Sequence, residues 1–199
     1  MSSTILEPRT ALVLIDLQQG VVGMQTLPHT AAEVVQNSVA LARAFRKQDL
    51  PVVLVRVSFS ADRADAAPGR TTDSGTQGFN PPEGWDVLVD DLEIQPTDIQ
   101  ITKRQWGAFY GTELDLQLRR RGITGIVLGG IATSIGVEST ARAAQEHGYS
   151  VVVVEDAIAD RDLASHEHAV GKIFPRLGLV STTQGVLDAL SAQVAAVNA

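Results

Sequence analysis

The sequence predicts an α/β protein: a doubly wound, Rossmann-like three-layer sandwich with a mainly parallel sheet of about six strands, formed by residues 1–199 as one domain. Three observations carry that expectation. Short β-branched runs without polar alternation recur along the chain, as in strands buried on both faces. Stretches with an apolar stripe at helical spacing lie between them. The two alternate with mostly short connections, and parallel strands joined in this way need right-handed crossovers that place helices on both faces of the sheet.

Residues 11–15 form the first expected strand, which runs directly into Asp16. A helix near residues 31–48 follows, with Val34, Leu41 and Phe45 on one face. Val52–Val57 is the second strand, and residues 99–102 are the third, ending at Lys103. Residues 58–84, between these two strands, are rich in Gly, Pro, Ser, Asp and Thr and show neither period. A loop of that length inside a compact domain is usually functional or mobile, with a disordered surface insertion as the alternative, and part of it is expected to border the active site.

Near residues 112–121, Leu114 and Leu118 share a helical face, Thr112 with Asp115 forms an N-terminal capping pair, and Gly122 stands at the C′ position. Residues 125–128 form the fourth strand and lead into a glycine-rich turn from Gly129 to Gly136. Val137, Ala141 and Ala144 mark a helix near residues 135–147, closed by Gly148, with the hydroxyl of Thr133 or Ser134 available as its cap. Residues 151–154 are the fifth strand and Leu179–Ser181 a weaker sixth.

Charge and composition narrow the function. The chain has 16 basic and 23 acidic side chains, a net charge of −7, which disfavours nucleic acid and anionic bilayers as partners. There is no cysteine, so disulfides, thiolate metal sites and thiol nucleophiles are excluded. The longest apolar runs fall far below the roughly 18 residues needed to cross a bilayer, and Met1 to Pro8 lacks the pattern of a signal peptide. A cytoplasmic protein is expected. The four histidines are His29, His147, His166 and His168; the last pair, with Glu167 between them, reads as a solvated helical face, so no metal is expected.

Ligands of an open parallel sheet bind outside the carboxyl ends of its strands. Three such ends present Asp16, Lys103 with Arg104, and the turn Gly129 to Gly136. Asp16 follows an apolar run, which would partly desolvate its carboxylate, and Lys103 nearby would set its protonation equilibrium. A strand-end aspartate is more usually a turn residue or helix cap, and Lys103 reads as well as a solvated strand-end lysine. The glycine-rich turn matches neither a dinucleotide nor a P-loop pattern, and Ser134 is not flanked as in a nucleophile elbow.

Four motifs in order support a family resemblance. They are Leu14-Ile15-Asp16-Leu17-Gln18, the run from Lys103-Arg104-Gln105-Trp106-Gly107-Ala108-Phe109 to Leu114, the run from Gly130-Ile131-Ala132-Thr133-Ser134-Ile135-Gly136 to Arg142, and Glu155-Asp156-Ala157. Together they resemble the isochorismatase-like hydrolase family of the cysteine hydrolase superfamily. Most of that family uses an Asp, a Lys and a Cys as catalytic triad. By resemblance Asp16 and Lys103 take the first two places, and Gly136 stands where the Cys would be.

The true isochorismatases share that glycine and cleave an enol ether without a covalent intermediate. The resemblance thus implies a cofactor-free hydrolase of a small anionic metabolite such as isochorismate. Asp16 would act as acid, Lys103 would position it, and Gly136 would leave room for the substrate. It further implies a non-proline cis peptide at Ile131–Ala132, and a substrate environment of Gln18, Arg104, Trp106, Phe109, Ile131, Ala132 and Ile135. Trp106 and Phe109 would supply the apolar setting for Asp16. A homo-oligomer, dimer or tetramer, is expected, with a small-molecule substrate as the other partner. The alternative left open is a non-catalytic protein that binds a metabolite or protein partner in the same pocket.

Overall fold

A computed structural model describes residues 5–67, 72 and 81–197 of the chain. Much of the expected loop at residues 58–84 therefore lies outside the described residues.

Six strands form one sheet: β1 (Thr10–Ile15), β2 (Val52–Val57), β3 (Ile99–Lys103), β4 (Gly125–Ile131), β5 (Ser150–Ala159) and β6 (Leu179–Ser181). Their order is β3-β2-β1-β4-β5-β6, and every neighbouring pair is parallel. The expected doubly wound architecture is thus observed, with a parallel sheet throughout.

The helices are α1 (Gln19–Val22), α2 (Ala31–Lys47), α3 (Leu114–Arg120), α4 (Glu138–Glu146), α5 (Leu163–His168), α6 (Phe174–Leu177) and α7 (Thr183–Val197). On one face of the sheet, Leu12, Leu14, Leu54 and Val127 pack with Val34, Leu41 and Phe45 of α2 and Val186 and Leu190 of α7. On the other, Val13, Ile15, Val53 and Leu128 pack with Leu114 and Leu118 of α3 and Ala141 and Ala144 of α4. Successive residues of β1 point to opposite layers and all six are buried, so from Ala11 on the strand is continuously apolar rather than alternating.

Two local expectations need correction. Helix α3 starts at Leu114, and Thr112 with Asp115 does not form a capping pair. The Thr112 hydroxyl accepts from the Leu114 N–H at 3.1 Å and donates to the Ala108 carbonyl at 2.6 Å. Asp115 instead accepts from the Tyr149 hydroxyl at 2.8 Å and pairs with Arg119 at 3.2 Å. A reciprocal capping box does occur, at Thr30 and Glu33 on α2, where the sequence reading did not place one. The segment before α4 is also not a regular helix: Thr133–Val137 is a π-helical turn, and neither Thr133 nor Ser134 caps it through its side chain.

The chain direction reverses its progress across the sheet between β1 and β4. Brought side by side, these strands place their carboxyl ends at the topological switch point. Gly130 permits the approach: its φ is +119°, and a Cβ there would stand 2.1 Å from the Ile15 carbonyl oxygen.

Candidate active site

Asp16 immediately follows β1 and has a left-handed backbone, φ 53°. That conformation costs an ordinary L residue about 1–2 kcal/mol, and Asp tolerates it better than most. Its N–H is held by the Val55 carbonyl at 2.8 Å, which turns the chain just beyond the sheet. Lys103 ends β3, two strands away from β1, and its side chain crosses the end of β2 to reach the carboxylate. Lys103 Nζ lies 2.8 Å from Asp16 Oδ2 and donates to the Trp106 carbonyl at 2.5 Å. Both side chains are withdrawn from solvent, with Lys103 only 2% exposed and Asp16 10%.

The second carboxylate oxygen, Oδ1 of Asp16, is buried with no hydrogen-bond partner among the described residues. Burial therefore acts against the ionised form and raises the pKa from 3.8 to about 6. The Lys103 charge and hydrogen bond oppose that rise without cancelling it. The site thus holds a carboxyl group that exchanges its proton near neutrality, next to a buried ammonium.

Gly136 faces this pair from the turn between β4 and α4. A Cβ on Gly136 would stand 3.1 Å from Lys103 Nζ, 3.4 Å from Asp16 Oδ2 and 2.8 Å from Ile15 Cγ2. Asp16, Lys103 and Gly136 therefore converge on one point, and Ile15 closes in where a side chain at 136 would project.

The remaining sequence candidates are divided. The Ile131–Ala132 peptide is cis, and the Ala132 carbonyl accepts from the N–H groups of Ile135 and Val137 at 3.2 Å each, closing the turn. Ile135, next to Gly136, is partly exposed. Trp106 contributes its carbonyl to Lys103, while the residue itself is 64% exposed and does not furnish the buried apolar setting expected for Asp16. Phe109 is buried, but against His147 and Tyr149 at the C-terminal end of α4, the opposite end from Gly136.

Gln18 is fully buried, and its amide is occupied by backbone. It accepts from the Val57 N–H at 2.9 Å and donates to the carbonyls of Val57 and Trp85 at 3.1 and 3.2 Å. Arg104 is tied to the segment after β2, donating to the Ser58 carbonyl and pairing with Asp65, each at 2.6 Å. Gln18 and Arg104 thus brace the walls of the site.

Two residues were missed. His166 is buried, contrary to the expected solvated face, whereas His168 is exposed. Its Nδ1 lies 2.9 Å from Thr133 Oγ1, clasping the turn to α5. Burial, followed by the charge of His29, lowers the His166 pKa from its ordinary value, so the ring favours its neutral form. Asp160, at the end of β5, accepts from the Ser134 N–H at 2.6 Å and from the N–H groups of Arg161 and Asp162. The i, i+2 spacing of the histidines correctly separates their faces; only the topology shows which of them turns inward.

With this geometry in place, comparison with known proteins is decisive. Residues 10–185 match the family model described as the isochorismatase domain. The chain belongs to the isochorismatase family. Among isochorismatase-family relatives, an uncharacterized protein of Escherichia coli O157:H7, YecD, is 48% identical over 181 residues, spanning 91% of this chain and 96% of that protein. The ureidoacrylate amidohydrolase RutB of Cronobacter turicensis is 31% identical over 211 residues, spanning 94% and 91% of the two chains. An isochorismatase-family structure from Burkholderia thailandensis superposes with a TM-score of 0.89 at 46% identity, covering 94% of this chain and 98% of that one. The molecule is an isochorismatase-family hydrolase by these criteria.

Proposed function

We propose that the protein hydrolyses an enol ether of a small anionic metabolite, of which isochorismate is the model, by acid catalysis without a covalent enzyme intermediate. The observation that carries the reading is the convergence of Asp16 and Lys103, 2.8 Å apart, with Gly136, which presents no side chain of its own to the pair. A carboxyl with a pKa of about 6 still carries its proton in roughly one molecule in ten at pH 7. That makes Asp16 a competent general acid at neutral pH.

In the proposed reaction Asp16 gives its proton to the terminal vinyl carbon of an enolpyruvyl group, and the ether oxygen stabilises the resulting oxocarbenium ion. Water adds to that cation, and its surplus proton returns to Asp16. The hemiketal then breaks its bond to the alcohol oxygen, leaving pyruvate and the free alcohol. Lys103 holds the carboxyl in position and lends a positive charge toward substrate oxygens in a protein whose net charge is −7.

Gly136 and the absence of cysteine leave no thiol to form the thioester of an amidase. In this reading Gly136 takes the place that the family's nucleophile holds. The likeness to an amidohydrolase and the Thr133–His166 pair raise amide hydrolysis by a hydroxyl as a second reading. Thr133 is fully buried and its hydroxyl is engaged by His166, which favours the first.

The test is a product assay with isochorismate and with a ureido amide. Pyruvate release without ammonia is expected. Ammonia release from the amide, with no pyruvate from the ether, would overturn the proposal.

A further inference from the structure

We propose that Thr140 is a positioning residue for the catalytic pair, setting the gap between the Lys103 ammonium and the turn that carries Gly136. The proposal rests on the reading of Asp16 and Lys103 as the groups that act on substrate. Its argument is a chain of bonds across the site. Lys103 Nζ donates to the Trp106 carbonyl at 2.5 Å, and two residues further on the Ala108 N–H donates to Thr140 Oγ1 at 3.1 Å. The same hydroxyl donates its own proton to the Gly136 carbonyl at 2.7 Å.

Thr140 is fully buried, and both functions of its hydroxyl, acceptor and donor, are used. One side chain on the first turn of α4 therefore joins two walls of the site that are far apart in sequence. The contact is reinforced at Gly107, where a Cβ would stand 3.5 Å from the Ser139 Cβ, so the segment after Lys103 lies directly on α4.

Such a link fixes more than stability. Trp106 is the backbone anchor that stops the Lys103 side chain from swinging, and Ala108 is the point at which that anchor is secured. Without the Thr140 hydroxyl, the Ala108 N–H loses its buried acceptor and the segment moves to find another. Lys103 then follows the Trp106 carbonyl or loses it. In either case its charge leaves the optimum beside Asp16, and the acid loses the partner that draws its affinity for protons down.

The experiment compares Thr140→Val with Thr140→Ser, using Thr140→Ala where the valine variant does not fold. Carboxyl ¹³C resonances of aspartate-labelled protein, assigned through Asp16→Asn, give the Asp16 titration midpoint without any substrate. Thr140→Val is expected to raise that midpoint by about 0.5 in pH. It is also expected to lower kcat for pyruvate release about tenfold, the effect of a small misplacement of a catalytic group, with KM changed less than about twofold. Thr140→Ser restores both quantities. A midpoint in Thr140→Val equal to wild type, or one displaced as far in Thr140→Ser, overturns the proposal. Failure of the wild type to release pyruvate overturns the enol ether reading alone, because the Asp16 midpoint is measured independently of turnover.

Discussion

The Asp16 carboxylate and the Lys103 ammonium, carried by strands that are not neighbours in the sheet, meet at 2.8 Å beyond the end of the strand between them. One oxygen of that carboxylate has no hydrogen-bond partner among the described residues, so the pair is not a closed salt bridge. It retains an acid that protonates in the physiological range.

This acid dictates the pH profile. Asp16 must hold its proton to act, and its pKa is about 6. Accordingly kcat/KM for enol ether cleavage is expected to level off below pH 6 and to fall about tenfold for each pH unit above it. Asp16→Asn is expected to lose about 10²–10⁴-fold in rate and to abolish the profile. A steady-state pH series on both proteins checks this.

The two members of the pair differ in what their removal leaves behind. Asp16→Ala strands a cation that is 2% exposed and leaves it, among the described residues, the Trp106 carbonyl for a partner; breaking a buried pair in this way costs about 3–5 kcal/mol. Lys103→Met leaves a carboxyl that takes up a proton and becomes neutral. Both variants lose activity, but in urea unfolding at pH 7 Lys103→Met is expected to be the more stable of the two.

Gly136 is expected to resist every side chain. A Cβ there would stand 2.8 Å from Ile15 Cγ2, and overpacking of this kind costs about 1–3 kcal/mol. Gly136→Ala therefore lowers both stability and turnover. Gly136→Cys lowers pyruvate release and does not by itself create a thiol-dependent amidase, because the new sulfur displaces Ile15 and disturbs Lys103. Thermal unfolding, pyruvate release and ammonia release measured together on the cysteine variant test this.

His166 should make the protein sensitive to acid. Its folded-state pKa lies below the ordinary 6.5, so the neutral ring contributes stability that is fully present above pH 6.5 and is lost as the pH falls through the folded value. Asp16 works in the other direction. Raised from 3.8 to about 6, it stabilises in its protonated form, and that contribution, about 3 kcal/mol, is lost as the pH rises between those values. His166→Gln keeps the Asp16 slope and removes the histidine's. The melting-temperature difference between wild type and His166→Gln is therefore expected to narrow as the pH falls from 7.5 to 5.5.

Much of the frame was legible in sequence because buried parallel strands are continuous apolar runs. Each expected strand lies within the observed one. The end of β5 was not legible, since Glu155 and Asp156 interrupt its apolar run, yet the strand continues to Ala159. Asp156 bends its carboxylate to the start of α7, accepting from the Thr183 N–H at 2.7 Å, so the motif Glu155-Asp156-Ala157 serves a helix terminus.

In the candidate site, Asp16 and Lys103 were legible because each stands at the carboxyl end of an expected strand. Their meeting was not, because it depends on the sheet order. Phe109 and Gln18 show the limit of motif reasoning: both lie within matching segments, but one side chain packs at the far end of α4 and the other bonds to backbone. His166 escaped notice because its role depends on Thr133, a partner 33 residues earlier.

The most direct test follows the proton. Wild-type protein is incubated with isochorismate in D₂O, and pyruvate is trapped as it forms by lactate dehydrogenase and NADH. Mass analysis is expected to show lactate carrying one solvent deuterium in its methyl group, formed at a rate that collapses in Asp16→Asn. No lactate from the wild type, or undiminished formation by Asp16→Asn, would contradict the account.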